Sequence, residues 1–262
     1  MLFDVAMPLV LFFVTLASVL LNRRTEDRLK NSLEEREFAT RDAGLLVAGM
    51  AVMISLIILL PKMALIVVFL FSYSMLLFLF TLIFANRRWY FGILPPALFI
   101  ALYAFTNQTL LWSNYLINAY AVVFAVMITL YLQTLFTWKT SLMFAGLITV
   151  ADIVLVLITK AMVSVATETL SLQLPVLVTV PTIPRLGRMS LGLGDFFFAG
   201  LLAIQSFKKY GKRFGTISMI AMTASFTIFE AFLLTDKVSA FPGTVMIISG
   251  WLPLIIWKHY KS

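Results

Sequence analysis

Apolar runs of about 20 residues recur from one end of this chain to the other, with only short polar stretches between them. Hydrocarbon gives the backbone no hydrogen-bond partners, so such runs are satisfied as α-helices, in which N–H and C=O groups pair inside the segment. At 1.5 Å per residue, about 20 residues cross a hydrocarbon core of roughly 30 Å. Nine runs stand at roughly 2–21, 43–60, 63–85, 89–106, 115–136, 140–159, 190–207, 214–235 and 241–257. The reading is an all-α, polytopic transmembrane bundle of nine spans. Only 12% of residues are charged and 61% are hydrophobic, against about 25% charged in a soluble domain. The chain therefore reads as one transmembrane domain over 1–262, with spans one to six in 1–160, a connecting loop over 161–189 and spans seven to nine in 190–262.

The first run opens on Met1-Leu2-Phe3-Asp4 without a base and meets Arg23-Arg24, so it reads as a retained span rather than a removable signal. Residues 22–42 mix six bases with six acids and read as a solvated cytoplasmic loop. Pro95-Pro96 in the fourth run predicts a kink or an early helix end, because a proline ring clashes with the preceding turn. Lys and Arg resist translocation, and fifteen of the twenty fall on the side of 22–42, including Arg87, Arg88, Lys139, the Lys208–Arg213 cluster and the tail. Five fall on the other side, among them Lys62 and Lys237. This predicts a multi-pass protein of the cell membrane, with its N-terminus outside and its C-terminus cytoplasmic.

The net charge of +8 sits in loops beside apolar runs, which suits the lipid bilayer and not nucleic acid, for which no basic face with interleaved aromatics is present. Without cysteine there are no disulfides or thiolate chemistry. The single histidine, His259, lies in the tail, which excludes a paired-histidine zinc site and disfavours a serine–histidine pair. No metal and no cofactor is expected.

An ionisable group in hydrocarbon costs at least about 2.5–3.5 kcal/mol, so acids inside spans are functional candidates. There are four: Asp4, Asp152, Asp195 and Glu230. Asp4, at the edge of the first span, is expected to reach the headgroups, and Glu230 to snorkel or make a polar contact between helices. Asp152 and Asp195 differ because their depths match. The sixth span runs outward to Lys160, about eight residues or roughly 12 Å beyond Asp152. The seventh returns from Arg188, about seven residues or roughly 10 Å before Asp195. Two carboxyls meeting at that level would share one proton, the requirement of aspartyl proteolysis: one takes a proton from water as the other polarises the carbonyl. Gly192-Leu193-Gly194 before Asp195 lets a second backbone approach closely.

These residues resemble the presenilin and signal-peptide-peptidase superfamily of intramembrane aspartyl proteases, in size its short archaeal members. Gly192-Leu193-Gly194-Asp195-Phe196 is similar to the family's G-x-G-D-F, Asp152 to its first aspartate, and Leu174–Pro181 to its apolar Leu-Pro segment. Ala151 stands where the family carries tyrosine, and Ser239-Ala240-Phe241-Pro242 where it carries Pro-Ala-Leu-Pro. The resemblance implies a horseshoe of six helices around the last three, catalytic Asp152 and Asp195, and substrate contacts at Gly192, Leu193, Gly194, Ala240, Phe241 and Pro242. Its implied partners are transmembrane peptides of type II orientation, or remnant signal peptides; self-association is left open. A helical substrate must unwind to expose its scissile bond, and Leu174–Val180, with Leu174, Val176 and Val178, is expected to offer it a strand. The alternatives are a proton- or cation-coupled transporter or channel using the same acids, and a catalytically silent membrane scaffold.

Overall fold

A computed structural model describes residues 4–32, 37–84, 89–183, 187–236 and 240–261 of the chain. Its helices are α1 (Ala6–Ser32), α2 (Thr40–Ile57), α3 (Lys62–Phe84), α4 (Trp89–Thr106), α5 (Ile117–Leu132), α6 (Trp138–Ile153), α7 (Ala161–Ser171), α8 (Leu193–Tyr210), α9 (Lys212–Asp236) and α10 (Gly243–Lys261). Two short strands, β1 (Leu177–Pro181) and β2 (Arg188–Gly192), separate α7 from α8. Arg87, Arg88 and Lys237, which enter the charge count for orientation, lie outside the described residues.

Seven helical stretches among the described residues are long and apolar enough to cross a membrane: Ala6–Leu29, Thr40–Ile57, Lys62–Phe84, Trp89–Thr106, Ile117–Leu135, Trp138–Ile158 and Lys212–Thr235. The molecule is a polytopic helical bundle. Helix α8 is not among the seven, because it carries Asp195, Lys208 and Lys209 within 18 residues. It is nevertheless the axis of the fold: every residue from Phe196 to Ser206 is buried, against α1, α5, α6, α9 and α10. A helix enclosed on all sides has no lipid-facing stripe to supply, so its apolar character serves packing. Helices α3 and α4 pair with each other at the periphery and turn large side chains such as Phe71 and Phe105 outward, as lipid contact requires.

Helix α4 runs through Pro95 and Pro96 without a break, so the expected early end is not found. The two rings remove the donors that the carbonyls of Phe91 and Gly92 would otherwise receive, and the loss falls in the second turn, where α3 and α4 are in contact.

Helices α9 and α10 approach most closely at Gly250, where an added Cβ would lie 2.6 Å from the carbonyl carbon of Ala221 and closer still to its oxygen. Backbone cannot yield as a flexible side chain does. Gly250→Ala is therefore expected to lower stability by about 1–3 kcal/mol, the usual cost of overpacking, measurable as an earlier thermal unfolding midpoint in detergent; an unchanged midpoint would contradict this packing.

The stretch read as a plain loop over 161–189 is structured. Lys160 takes a left-handed conformation, φ 54°, which stops α6 and turns the chain into α7. After Gln173, also left-handed, the β-branched run Val176–Val180 pairs antiparallel with β2, Val178 opposite Leu191 and Thr179 opposite Ser190. Loop length alone could not show this, since a hairpin needs a partner strand, and Arg188–Gly192 reads in sequence as the approach to a helix. Hydrogen bonds from Leu193 N–H to the Val176 carbonyl and from Thr182 N–H to the Gly187 carbonyl set the phase, so that Val178 and Val180 face β2. Thr179 and Pro181 face the other way. Pro181 has no N–H to lose there, and Thr179 exchanges two hydrogen bonds with the Asn118 side chain, each 2.8 Å.

Candidate functional site

Asp152 lies in the last turn of α6, immediately before a wider π-helical turn over Val154–Ile158; such turns re-aim the side chains around them. Asp195 is the third residue of α8, not seven helical residues inside a span, because Arg188–Gly192 is extended strand. That position makes Asp195 a capping residue: the Gly192 N–H donates back to its carboxyl, and the partial positive charge of the α8 N-terminus faces it.

Asp152 and Asp195 line one cavity of about 60 Å³. By the ~10–15 Å³ that one water needs, the cavity has room for several. Its remaining walls are apolar, supplied by Met50 and Ile54 of α2, Ala151 and Leu155 beside Asp152, and Phe197 and Phe198 of α8.

The start of α10 braces Asp152 and packs closely against Asp195. Thr244 donates its N–H (3.2 Å) and its hydroxyl (2.7 Å) to the same Asp152 oxygen. One residue earlier, Gly243 lies so near Asp195 that an added Cβ would stand 2.6 Å from its Cγ and 2.9 Å from Oδ2. A first helical turn has unpaired N–H groups and a positive dipole end, so α10 offers the acids both hydrogen bonds and a favourable field.

The other sequence candidates divide. Gly194 is exposed to the cavity, with open space where a Cβ would stand. Gly192 ends β2 and lines the same cavity. Leu193 is buried and spends its N–H on Val176. Leu174 and Val178 are buried in the core, anchoring the hairpin rather than lying at a free surface, while Val176 is partly buried. Phe241 stacks on Phe229 of α9 with ring centres 5.6 Å apart, and the Pro242 carbonyl accepts from Met246 N–H, opening α10. Ala240 is partly exposed, and Ser239 lies outside the described residues.

The candidates read from the sequence ended at Pro242, immediately before Gly243 and Thr244, and did not include Asn118. A small residue followed by a hydroxyl at a helix start after proline was the available signal for the first two; for Asn118 only its rarity as an amide within an apolar run pointed to a role. Among the described residues, no three His, Asp or Glu side chains come together as a metal-ligand set.

Asp4 departs from its expected place, whereas Glu230 makes the polar contact between helices that was one of its two expected roles. Asp4 is buried, 1% exposed, and accepts from the N–H groups of Ala6 (3.0 Å), Met7 (3.2 Å) and Ile183 (2.7 Å). Burial opposes its charge, but the N–H groups of Ile183, Ala6 and Met7 outweigh that and hold its carboxyl below the usual carboxylate range. It therefore does not reach the headgroups. Glu230, 0% exposed, lies against it within hydrogen-bonding reach. Neither Glu230 oxygen has a hydrogen-bond donor among the described residues.

No protein-family model matches the chain, and no curated protein matches it.

Proposed function

We propose that this chain is an intramembrane aspartyl protease that hydrolyses peptide bonds within transmembrane segments, with Asp152 and Asp195 as its catalytic pair. The observation that carries the reading is that these two acids, from different helices, line one cavity with room for water beside the first turn of α10, which hydrogen-bonds Asp152 and packs Gly243 against Asp195. In this reading α8 and α10 complete nine spans with the N-terminus outside, and spans one to six surround the last three. The pair holds one proton. The ionised member takes a proton from water as its oxygen attacks the scissile carbonyl; the protonated member donates to the carbonyl oxygen and, as the tetrahedral adduct collapses, the leaving nitrogen is protonated. Thr244, bound to Asp152, holds that carboxyl in line.

The edge left for an unwound substrate belongs to β2. Asn118 occupies the outer edge of β1 at Thr179, whereas the phase of the hairpin turns the backbone groups of Arg188 and Ser190 away from β1, on residues that are exposed. A substrate strand added there would run into the dyad, since Gly192 ends β2 at Asp195. Proline at an outward-facing position spares the backbone ladder but deletes the Ser190 hydroxyl's bond to Thr179 (2.7 Å). Measured against Ser190→Ala, which loses the same bond, Ser190→Pro is expected to unfold at the same temperature while turnover of a transmembrane reporter falls about tenfold or more, the loss of one backbone hydrogen bond left unmade. Unchanged turnover would remove β2 from substrate binding.

The function is tested by incubating purified protein with a reporter transmembrane peptide in liposomes, with and without a hydroxyl-containing transition-state mimic, and assaying proton and cation flux in parallel. Cut products suppressed by the mimic support the proposal. Flux without products identifies a transporter, and neither activity identifies a scaffold.

A further inference from the structure

At the end of the bundle where α8 passes into α9, a pocket of about 230 Å³ opens between α1 and α8. Buried Val19 and Ile204 make its floor, and Arg23, Lys208 and Lys212 stand around it. Glu26 is the one acid among the described residues that line it, and its charge is already matched. Lys208 Nζ donates to Glu26 (2.7 Å) and to the side-chain amide oxygen of Gln133 (2.9 Å). Asn22 donates to the other Glu26 oxygen (3.2 Å) and accepts from Gln133. This closed ring of four side chains fixes Lys208 and neutralises Glu26.

Two cations are left over. The Arg23 guanidinium lies 5.4 Å from the centre of the Phe207 ring, a contact that holds it in place without matching its charge by an anion. Neither Arg23 nor Lys212 has an ion-pair partner among the described residues. Gly211, with φ 86°, turns the chain so sharply that α9 begins at the pocket wall. The first N–H bonded within this turn is that of Gly215, to the Gly211 carbonyl, so the N–H groups just before it have no helical acceptor. The Lys208–Arg213 cluster belongs to the side on which fifteen of the twenty bases fall in the sequence, the side that meets the anionic leaflet.

We propose that this pocket binds the phosphate of an anionic phospholipid headgroup, with Arg23, Lys212 and the first turn of α9 on the phosphate and the Val19–Ile204 floor under the glycerol. A free phosphate ion shares the charge chemistry but makes no use of an apolar floor next to hydrocarbon. The site is separate from the aspartate pair and does not depend on proteolysis.

The test uses the full chain in phosphatidylcholine nanodiscs, titrated with phosphatidylglycerol, with more phosphatidylcholine or with inorganic phosphate, and read by native mass spectrometry and by the thermal midpoint. Phosphatidylglycerol is expected to bind and to raise the midpoint, less so at high salt. Arg23→Gln and Lys212→Gln are expected to weaken it about fivefold each and about thirtyfold together. Both side chains are exposed, and the variants' midpoints in pure phosphatidylcholine report directly on folding. If the double variant unfolds early there, the single variants carry the comparison. Equal binding of phosphatidylcholine, or full binding by the folded variants, overturns the proposal; so does inorganic phosphate acting as strongly as the lipid, which would assign the pocket to a free anion.

Discussion

Asparagine in place of either Asp152 or Asp195 leaves a folded protein whose kcat/KM on a transmembrane reporter is lower by about 10⁴-fold or more, the scale on which members of a catalytic unit fail when removed singly. The substitution keeps shape and volume. At position 152 the amide oxygen still accepts from Thr244, whose N–H and hydroxyl both reach one carboxyl oxygen, so the bundle keeps its brace while the pair loses the proton it shares. The same sharing predicts a bell-shaped dependence of kcat/KM on pH, because activity needs one proton on the pair, neither none nor two. Purified variants assayed over a pH series check both statements. A folded Asp195→Asn protein that still cuts would end the two-aspartate mechanism.

Gly243→Ala is expected to cost about 10²–10³-fold in kcat/KM, the scale of a displacement of about 1 Å at a catalytic group. The new Cβ would overlap the Asp195 carboxyl, at 2.6 Å from Cγ and 2.9 Å from Oδ2. Asp195 cannot swing freely aside, because its carboxyl is tied to the Gly192 N–H and faces Asp152. Either the acid rotates out of the pair or α10 backs away and withdraws Thr244 from Asp152, and both routes break the dyad. Gly194→Ala is the control from the same cavity: nothing stands within 4 Å of its added Cβ, so its thermal midpoint is expected to match the parent chain. Measuring unfolding and cleavage for both variants separates damage at the dyad from a general intolerance of side chains in the cavity. Parental activity in Gly243→Ala would show that Asp195 is not needed where it stands.

The bundle was legible because hydrocarbon imposes one solution on the backbone, and the run lengths report it directly. Asp152 and Asp195 stood out for the same reason: an acid among apolar neighbours is conspicuous, and two at matched spacing from the ends of consecutive runs suggested a meeting. Their shared cavity is a property of side-chain directions that spacing alone could not give, and the helix carrying Asp195 starts later than its run suggested because Arg188–Gly192 is strand. The hairpin was hidden because strand pairing depends on residues far from the run that reads as a strand. Gly243 and Thr244 were hidden because their contribution lies in a missing side chain and in a backbone N–H, neither of which has a hydropathy signature. The burial of Asp4 was also missed; taken alone it suits a polar boundary, and only the contact between α1 and α9 encloses it beside Glu230.

That enclosure constrains the order in which the molecule can be completed. Asp4 begins the chain's first helix, yet its partners arrive late in synthesis: Ile183 follows it by 179 positions, and Glu230 comes later still, in α9. Until the ribosome has delivered Ile183, Asp4 has only the N–H groups of its own first turn, and Glu230 joins it only with α9. Final docking of α1 is thus a closing step rather than a nucleating one, and long-range closures of this kind are slow. A nascent chain interrupted before α9 would therefore leave the Asp4 end of α1 without its full set of partners.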